Sequence, residues 1–357
     1  MPKKPAAAAA SRPTIAIDTY GGNVAPRAAV AAAAQMARDA VARVVLVGDA
    51  GAIQDQLSLL AYDPAWLRVV HTGVKYPRHA DDAAAVRDAA CAALPIAMEL
   101  LREGDADALV TASPPTAVRD AVRAGLSMLH GARTLPLAAV FPCMPRAGRT
   151  EPLALLLDVS GTRAASADEL VEFALLGSAY TRVVTGVASP AVALLSTGPG
   201  PDDGPPEVVA AHRILRTMVG LHFVGNLRAT DVARGHADVI VADGLLGHTV
   251  RGLLEGLTTM TVEAARYAWR TKVAWRMALR LLSQGVGMLK TVSEFQEYGG
   301  APLLGCDHLV LIAHADSAPP ALANAIKLAT RCTARGLTGA LRMALADRAG
   351  PGVLAAP

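Results

Sequence analysis

Short apolar runs recur along the chain, each closed by a Gly, Asp, Ser or Thr turn. They are Thr14 to Asp18, Arg43 to Gly48, Leu67 to His71, Asp107 to Ala112, Leu135 to Phe141, Leu153 to Val159, Ala191 to Thr197, Leu221 to Gly225, Ala237 to Ala242 and His308 to Ala313. Each has the length of a strand. Between most of them lie Ala/Leu-rich stretches of helical length, such as Ala25 to Val41, Ala83 to Arg102 and Ala167 to Val184. This alternation predicts βαβ units in a doubly wound, mostly parallel sheet. Ligands of such folds bind at the carboxyl ends of the strands, so the residues that follow each run are the ones to examine for chemistry. The rhythm breaks from Leu245 to Glu297, where no strand pattern stands and a long helical excursion is predicted. The Pro/Gly-rich stretch Gly198 to Pro206 reads as a surface loop.

Composition agrees with an α/β class. A chain of 357 residues that is 52% hydrophobic buries a large core, and aromatics at 4% suit helices packed on a buried parallel sheet better than an aromatic-rich sandwich. A net charge of +3 offers no whole-molecule field for nucleic acid. Cys91, Cys143, Cys306 and Cys332 are far apart and form no C-x-x-C pair, so neither a zinc site nor a disulfide framework is predicted. The start, Met1-Pro-Lys-Lys-Pro followed by alanines, is a poor secretory signal and reads as a disordered tail over residues 1–13. A single domain is expected from 14 to 340, with a C-terminal tail from 341 to 357. No run approaches 18 apolar residues, so no bilayer-spanning helix is predicted and a cytoplasmic location is expected, with contact at a membrane surface left open.

The strand ends, taken in order, read Ile15-Ala-Ile-Asp18-Thr-Tyr-Gly21-Gly22-Asn23, Gly104-Asp-Ala-Asp107-Ala-Leu-Val-Thr-Ala112, Leu157-Asp158-Val159 and Phe223-Val-Gly225-Asn226. Then follow Ala237-Asp238-Val-Ile-Val-Ala-Asp243-Gly244-Leu-Leu-Gly247, Tyr298-Gly-Gly-Ala-Pro-Leu-Leu-Gly305 and Ile312-Ala-His314. From about residue 14 to about residue 335 this series resembles the PlsX-type phosphate acyltransferases of bacterial phospholipid synthesis. The resemblance implies a three-layer α/β/α fold related to phosphate acetyltransferases and isocitrate-dehydrogenase-like enzymes, and a homodimer. It implies that inorganic phosphate attacks the thioester of a long-chain acyl group on acyl carrier protein, giving acyl phosphate, with no metal or organic cofactor.

Such a transfer needs a cradle for phosphate, donors for the oxyanion and an acid for the departing thiolate. Asp18, Gly21, Gly22 and Asn23 form a turn whose free N–H groups suit a phosphate or pantetheine. Asp158, Thr111, Ser113, Thr116, Arg87 and His314 complete the binding candidates, while His314 and His71 also read as histidines that cap strand ends. Several loops depart from the family's pattern. Where a Gly-Asn-Thr-Gly turn is usual, Ser113-Pro114-Pro115-Thr116 stands, and two prolines remove two backbone donors. After Arg87 a Lys/Asp/Ser-rich stretch gives way to Asp88-Ala-Ala-Cys91-Ala-Ala93, Asp158 is followed by Ser160-Gly161-Thr162, and Pro199-Gly200 with Asp203-Gly204 replace Glu-Glu and Lys-Gly. Arg228 takes the place of a Glu and His248 that of an Asn, while Arg251 stands one position before a family lysine. Arginine offers a bidentate clamp and histidine an acid of suitable pKa, so these residues are candidates for a rebuilt site, with Asp243, His248 and Asn226 as its catalytic set.

From Ala264 to Ser293 there is no acidic residue, while Arg266, Arg270, Lys272, Arg276, Arg280 and Lys290 are basic. At 100° per residue Arg266 to Arg280 fall within an arc of about 160°, an amphipathic basic helix that also carries Trp269 and Trp275. Such a face suits an anionic membrane surface, or acyl carrier protein as an acidic partner, or the rim of a dimer interface. Two functional readings follow: a phosphate acyltransferase with reduced activity, and a non-catalytic relative that binds carrier protein, acyl chain or membrane as a dimer.

Overall fold

The computed structural model describes residues 12–73, 83–145, 149, 152–161, 164–271, 276–277 and 299–346, with the side chains of 83–91 excepted. Among them eleven strands form two sheets. The six-stranded sheet contains β1 (Thr14–Asp18), β2 (Arg43–Gly48), β3 (Leu67–His71), β4 (Ala108–Thr111), β10 (Ala301–Leu303) and β11 (Leu309–Ile312), in the order β10-β11-β4-β1-β2-β3. The five-stranded sheet contains β5 (Ala138–Pro142), β6 (Leu153–Leu157), β7 (Val192–Ser196), β8 (Phe223–Arg228) and β9 (Val239–Val241), in the order β5-β6-β9-β7-β8. All pairings are parallel except those of β10 with β11 and β5 with β6.

The sheet predicted from the strand rhythm is therefore divided in two, and the two halves meet through their antiparallel edges. Leu137 bridges to Leu303, and the Leu304 amide donates to the Pro136 carbonyl at 2.9 Å. The central strands β4, β9 and β11 are buried along their whole length, as parallel strands covered on both faces must be. β10 escapes the hydropathy pattern because it is three residues long and holds Pro302, which is tolerated only on an edge.

Helices cover both sheets: α1 (Arg27–Arg38), α2 (Ala50–Leu57), α3 (Ala83–Arg102), α4 (Pro115–Gly125), α5 (Ala167–Thr185), α6 (Pro206–Thr217), α7 (Gly244–Thr271), α8 (Pro319–Ala334) and α9 (Leu337–Ala346). The inward face of α1 is nearly all alanine, Ala28, Ala29, Ala32, Ala33 and Ala37 among them, which lets the helix lie close on the sheet with little side-chain entropy lost. α5 opens on a capping box in which the Ser166 and Glu169 side chains each accept from the other's backbone amide, and it ends at Gly186 in the left-handed conformation. α9 runs past residue 340 and buries Leu337, Leu341 and Leu345 at an i, i+4, i+8 spacing, packing on α5. The predicted excursion begins with α7; residues 272–275 and 278–298 lie outside the described residues, as do the N-terminal tail up to residue 11 and positions beyond 346.

Candidate functional site

β1, β4 and β11 are neighbours in the six-stranded sheet, so their carboxyl ends bring together loops far apart in sequence. Asp18 closes β1 and is buried. Its Oδ2 accepts from the Thr111 hydroxyl at 2.8 Å and the Ser113 hydroxyl at 2.7 Å, and its Oδ1 accepts from the Tyr20 amide at 2.9 Å. Burial pushes the Asp18 carboxyl above the usual carboxylate range, and these hydrogen bonds act the other way. The chain then passes Gly21, where a β-carbon would overlap the Ser113 amide, so only glycine lets the two loops touch. Asn23 ties in the third loop: its amide donates to the Ala315 carbonyl and its side chain to Asp316, both at 2.7 Å. His314 accepts from the Asp316 amide through Nδ1 at 3.2 Å, and His71 does the same for the Ala50 amide at 3.2 Å, the strand-capping arrangement.

A second centre lies at the ends of β6 and β9. Asp158 follows β6 across a cis peptide and is buried. Its Oδ1 accepts from the Leu137 amide at 2.8 Å and the Ser160 amide at 2.9 Å, and its Oδ2 from the Ser160 hydroxyl at 2.6 Å. Burial raises this carboxyl as well, opposed by those bonds and by the charge of Arg119. α7 starts against it: a β-carbon at Gly247 would overlap the Asp158 carbonyl oxygen. Asp243 caps the helix by accepting from the Leu246 amide at 2.8 Å. His248 is exposed, and its ring stands over Gly161, whose β-carbon would lie 3.4 Å away. Asp158, Ser160, Gly161, Asp243 and His248 therefore form one cluster.

Other candidates stand apart. Asn226 is buried in β8 with both polar atoms engaged: Oδ1 faces His212 Nδ1 at 2.8 Å, and Nδ2 donates to the Gly200 carbonyl at 2.8 Å. It fastens α6 and the 198–204 loop to the sheet. Asp203, in that loop, turns back to accept from the Gly200 amide at 2.7 Å. Arg228 pairs with Asp231 at 3.0 Å and holds that carboxyl below its ordinary range. Arg251 pairs with Glu255 at 2.7 Å, one turn beyond His248, and both line an apolar cleft of ≈ 120 Å³ with Val140, Phe141, Leu156 and Leu254. Thr116 is exposed in the first turn of α4. The Arg87 side chain lies outside the described residues, as do Lys272, Trp275 and Arg280. Arg266, Trp269, Arg270 and Arg276 are exposed.

A family model described as fatty acid synthesis protein matches residues 13–339. The phosphate acyltransferase of Moorella thermoacetica is 33% identical over 331 residues, 92% of this chain and 94% of that protein. This chain belongs to the phosphate acyltransferase family. The phosphate acyltransferase of Myxococcus xanthus is 34% identical over 332 residues, 92% of each chain. Among solved structures, a phosphotransacetylase from Streptococcus pyogenes aligns with a TM-score of 0.59 at 14% identity, covering 90% of this chain and 94% of its own. A branched-chain phosphotransacylase from Enterococcus faecalis V583 aligns at 0.51 and 14%, covering 90% and 98%. At such identity the likeness is one of fold. It agrees with the mostly parallel α/β architecture implied by the sequence.

Within this phosphate acyltransferase framework, the residue that sequence reasoning passed over is Arg119. It lies on α4 between the inward-facing Val118 and Val122, only 8% exposed, and faces the charge of Asp158. No sequence signal singles it out: Arg123, placed beside Val122 on the same helix as Arg119 is beside Val118, is exposed. Among the described residues no group of three His, Cys, Asp or Glu side chains is placed to hold a metal ion.

Proposed function

We propose that this chain transfers a long-chain acyl group from acyl carrier protein to inorganic phosphate, at a rate reduced by its altered loops. The observation that supports this is the convergence of Asp18, Thr111, Ser113 and the 314–316 loop at one strand end, with Asp158 and His248 gathered at a second, in a member of the phosphate acyltransferase family. In the reaction a phosphate oxygen attacks the thioester carbonyl carbon, the tetrahedral intermediate collapses, the C–S bond breaks and the thiolate takes up a proton. His248, exposed over Gly161 near the start of α7, is the group we assign to deliver that proton, with Asp243 capping the helix. The cleft lined by Val140, Phe141, Leu156, Leu254 and Arg251 begins one helical turn away and offers an apolar start for the alkyl chain.

The reduced rate follows from the loops. Thr111 and Ser113 spend their hydroxyls on Asp18, the Ser113 amide donates to Thr111 Oγ1 at 3.0 Å, and Pro114 and Pro115 have no N–H to offer. The same facts support the second reading, a non-catalytic homodimer that binds carrier protein or a membrane surface. α7 favours such contacts: Leu253, Leu257, Met260 and Tyr267 are exposed along it, followed by Arg266 and Arg270 on one face. No described helix is long and apolar enough to cross a membrane.

Thiol release from long-chain acyl-acyl carrier protein, dependent on phosphate, separates the two. We expect release above background that falls at least about tenfold in His248→Ala, the usual worth of general acid catalysis being about 100-fold or more. No release from folded protein removes the enzymatic reading, and an unchanged rate in His248→Ala removes the histidine from it.

A further inference from the structure

We infer that the Arg119 guanidinium is the anchor for the phosphate substrate in this chain, standing in for the backbone donors that Pro114 and Pro115 have removed. The inference rests on acyl transfer to phosphate as the reaction and names the residue that holds the acceptor.

Arg119 is 8% exposed, and its Nη1 is buried with no hydrogen-bond partner among the described residues. A buried cationic nitrogen with an unused donor is an unfinished arrangement, because that atom has left water and gained no acceptor. The opposite charge that faces it, Asp158, does not complete it. Both Asp158 oxygens are taken by the Leu137 amide and by the amide and hydroxyl of Ser160, and no hydrogen bond joins the carboxylate to the guanidinium. What Asp158 supplies is a balancing charge.

Arg119 also stands between the two centres. Its helix starts at Pro115, two residues after Ser113, whose hydroxyl is fixed to Asp18 at the end of β1; Asp158 ends β6 in the other sheet. An anion held by Arg119 therefore lies at the junction of the strand ends of both sheets, next to the cluster that includes His248. A tetrahedral oxyanion matches the fork of a guanidinium, which offers parallel N–H donors with a fixed charge. Proline at the first position of α4 sets the helix start while contributing no N–H, so the cation one turn inward is what remains to neutralise phosphate.

The test is calorimetric titration of inorganic phosphate into the full chain, with thiol-release kinetics on the same samples. Wild type binds phosphate; Arg119→Gln weakens binding by about tenfold or more, the worth of a hydrogen bond to a charged group, and Arg119→Lys falls between. In the kinetics Arg119→Gln raises KM for phosphate and leaves KM for acyl-acyl carrier protein unchanged, a split that a merely structural arginine does not produce. Asp158→Asn keeps the test independent of how the arginine variants fold: removing the competing carboxylate tightens phosphate binding. Phosphate bound through Arg119 without thiol release leaves the anchor standing and overturns acyl transfer. Thiol release with an unaltered KM for phosphate in folded Arg119→Gln overturns the anchor and leaves acyl transfer. Absence of phosphate binding to wild type, or weaker binding by folded Asp158→Asn, also overturns the anchor.

Discussion

Asp18 and Asp158 are buried carboxyls that bind protons more readily in the folded chain than in the unfolded one, because burial disfavours their charged forms. The sign of the linkage follows: the folded state holds more protons, so what these groups contribute to stability is present below the unfolded carboxylate range and declines as pH rises through their folded pKa values. Asp18→Asn removes one of these titrations while leaving an acceptor for the Thr111 and Ser113 hydroxyls. Melting temperatures measured from about pH 4 upward are expected to show wild type losing ground to the variant as pH rises. A difference that stays flat across that range would show that Asp18 titrates normally. The thiols obey the same physics, and burial pushes Cys306 up to about 11, out of the reactive range. At this scale the sequence named Asp18, Gly21, Asn23, Thr111 and Ser113 as members of one strand-end site, because the residues after parallel strands must share an edge. It did not show that the two hydroxyls point inward to Asp18, or that Arg119 faces Asp158. Side-chain direction comes from packing across loops some 90 residues apart, such as Asp18 and Thr111.

Strand and helix periodicity were legible because parallel strands buried on both faces are unbroken apolar runs, and every predicted strand has its counterpart. β1, β2 and β3 keep the expected bounds, and elsewhere ends moved by up to three residues, as for the run from Leu135 to Phe141, which pairs as Ala138–Pro142. β10 was hidden by its length, and the break between the sheets was hidden because edges carry no signal of what they meet. Asn226, read from the sequence as catalytic just past a strand, lies within β8, and its amide bridges α6 and the 198–204 loop. Asn226→Ala leaves His212 without its partner and the Gly200 carbonyl without its donor. Loss of about 1–3 kcal/mol of stability in denaturant titrations is the expected result. A variant as stable as wild type, with catalysis lost, would return Asn226 to the chemistry.

On the scale of the whole molecule, α9 closes the five-stranded half by burying Leu337, Leu341 and Leu345 on α5. Burial of each such side chain is worth about 1.5–3 kcal/mol, so together they rival the about 5–15 kcal/mol by which whole domains are stable. Truncation after Gly336 should abolish the cooperative thermal transition followed by circular dichroism; an unshifted transition would mean that the helix is dispensable. α7 rises about 42 Å from its first residue to its last. Its opening turn admits no atom between Gly247 and the carbonyl of Asp158. Helix and strand end there behave as a mast stepped into a deck, with a shaft of exposed leucines, Met260 and Tyr267 above the socket. A sideways load applied far up the shaft has its longest lever arm about that socket, and so bears hardest on the peptide that carries the buried carboxylate.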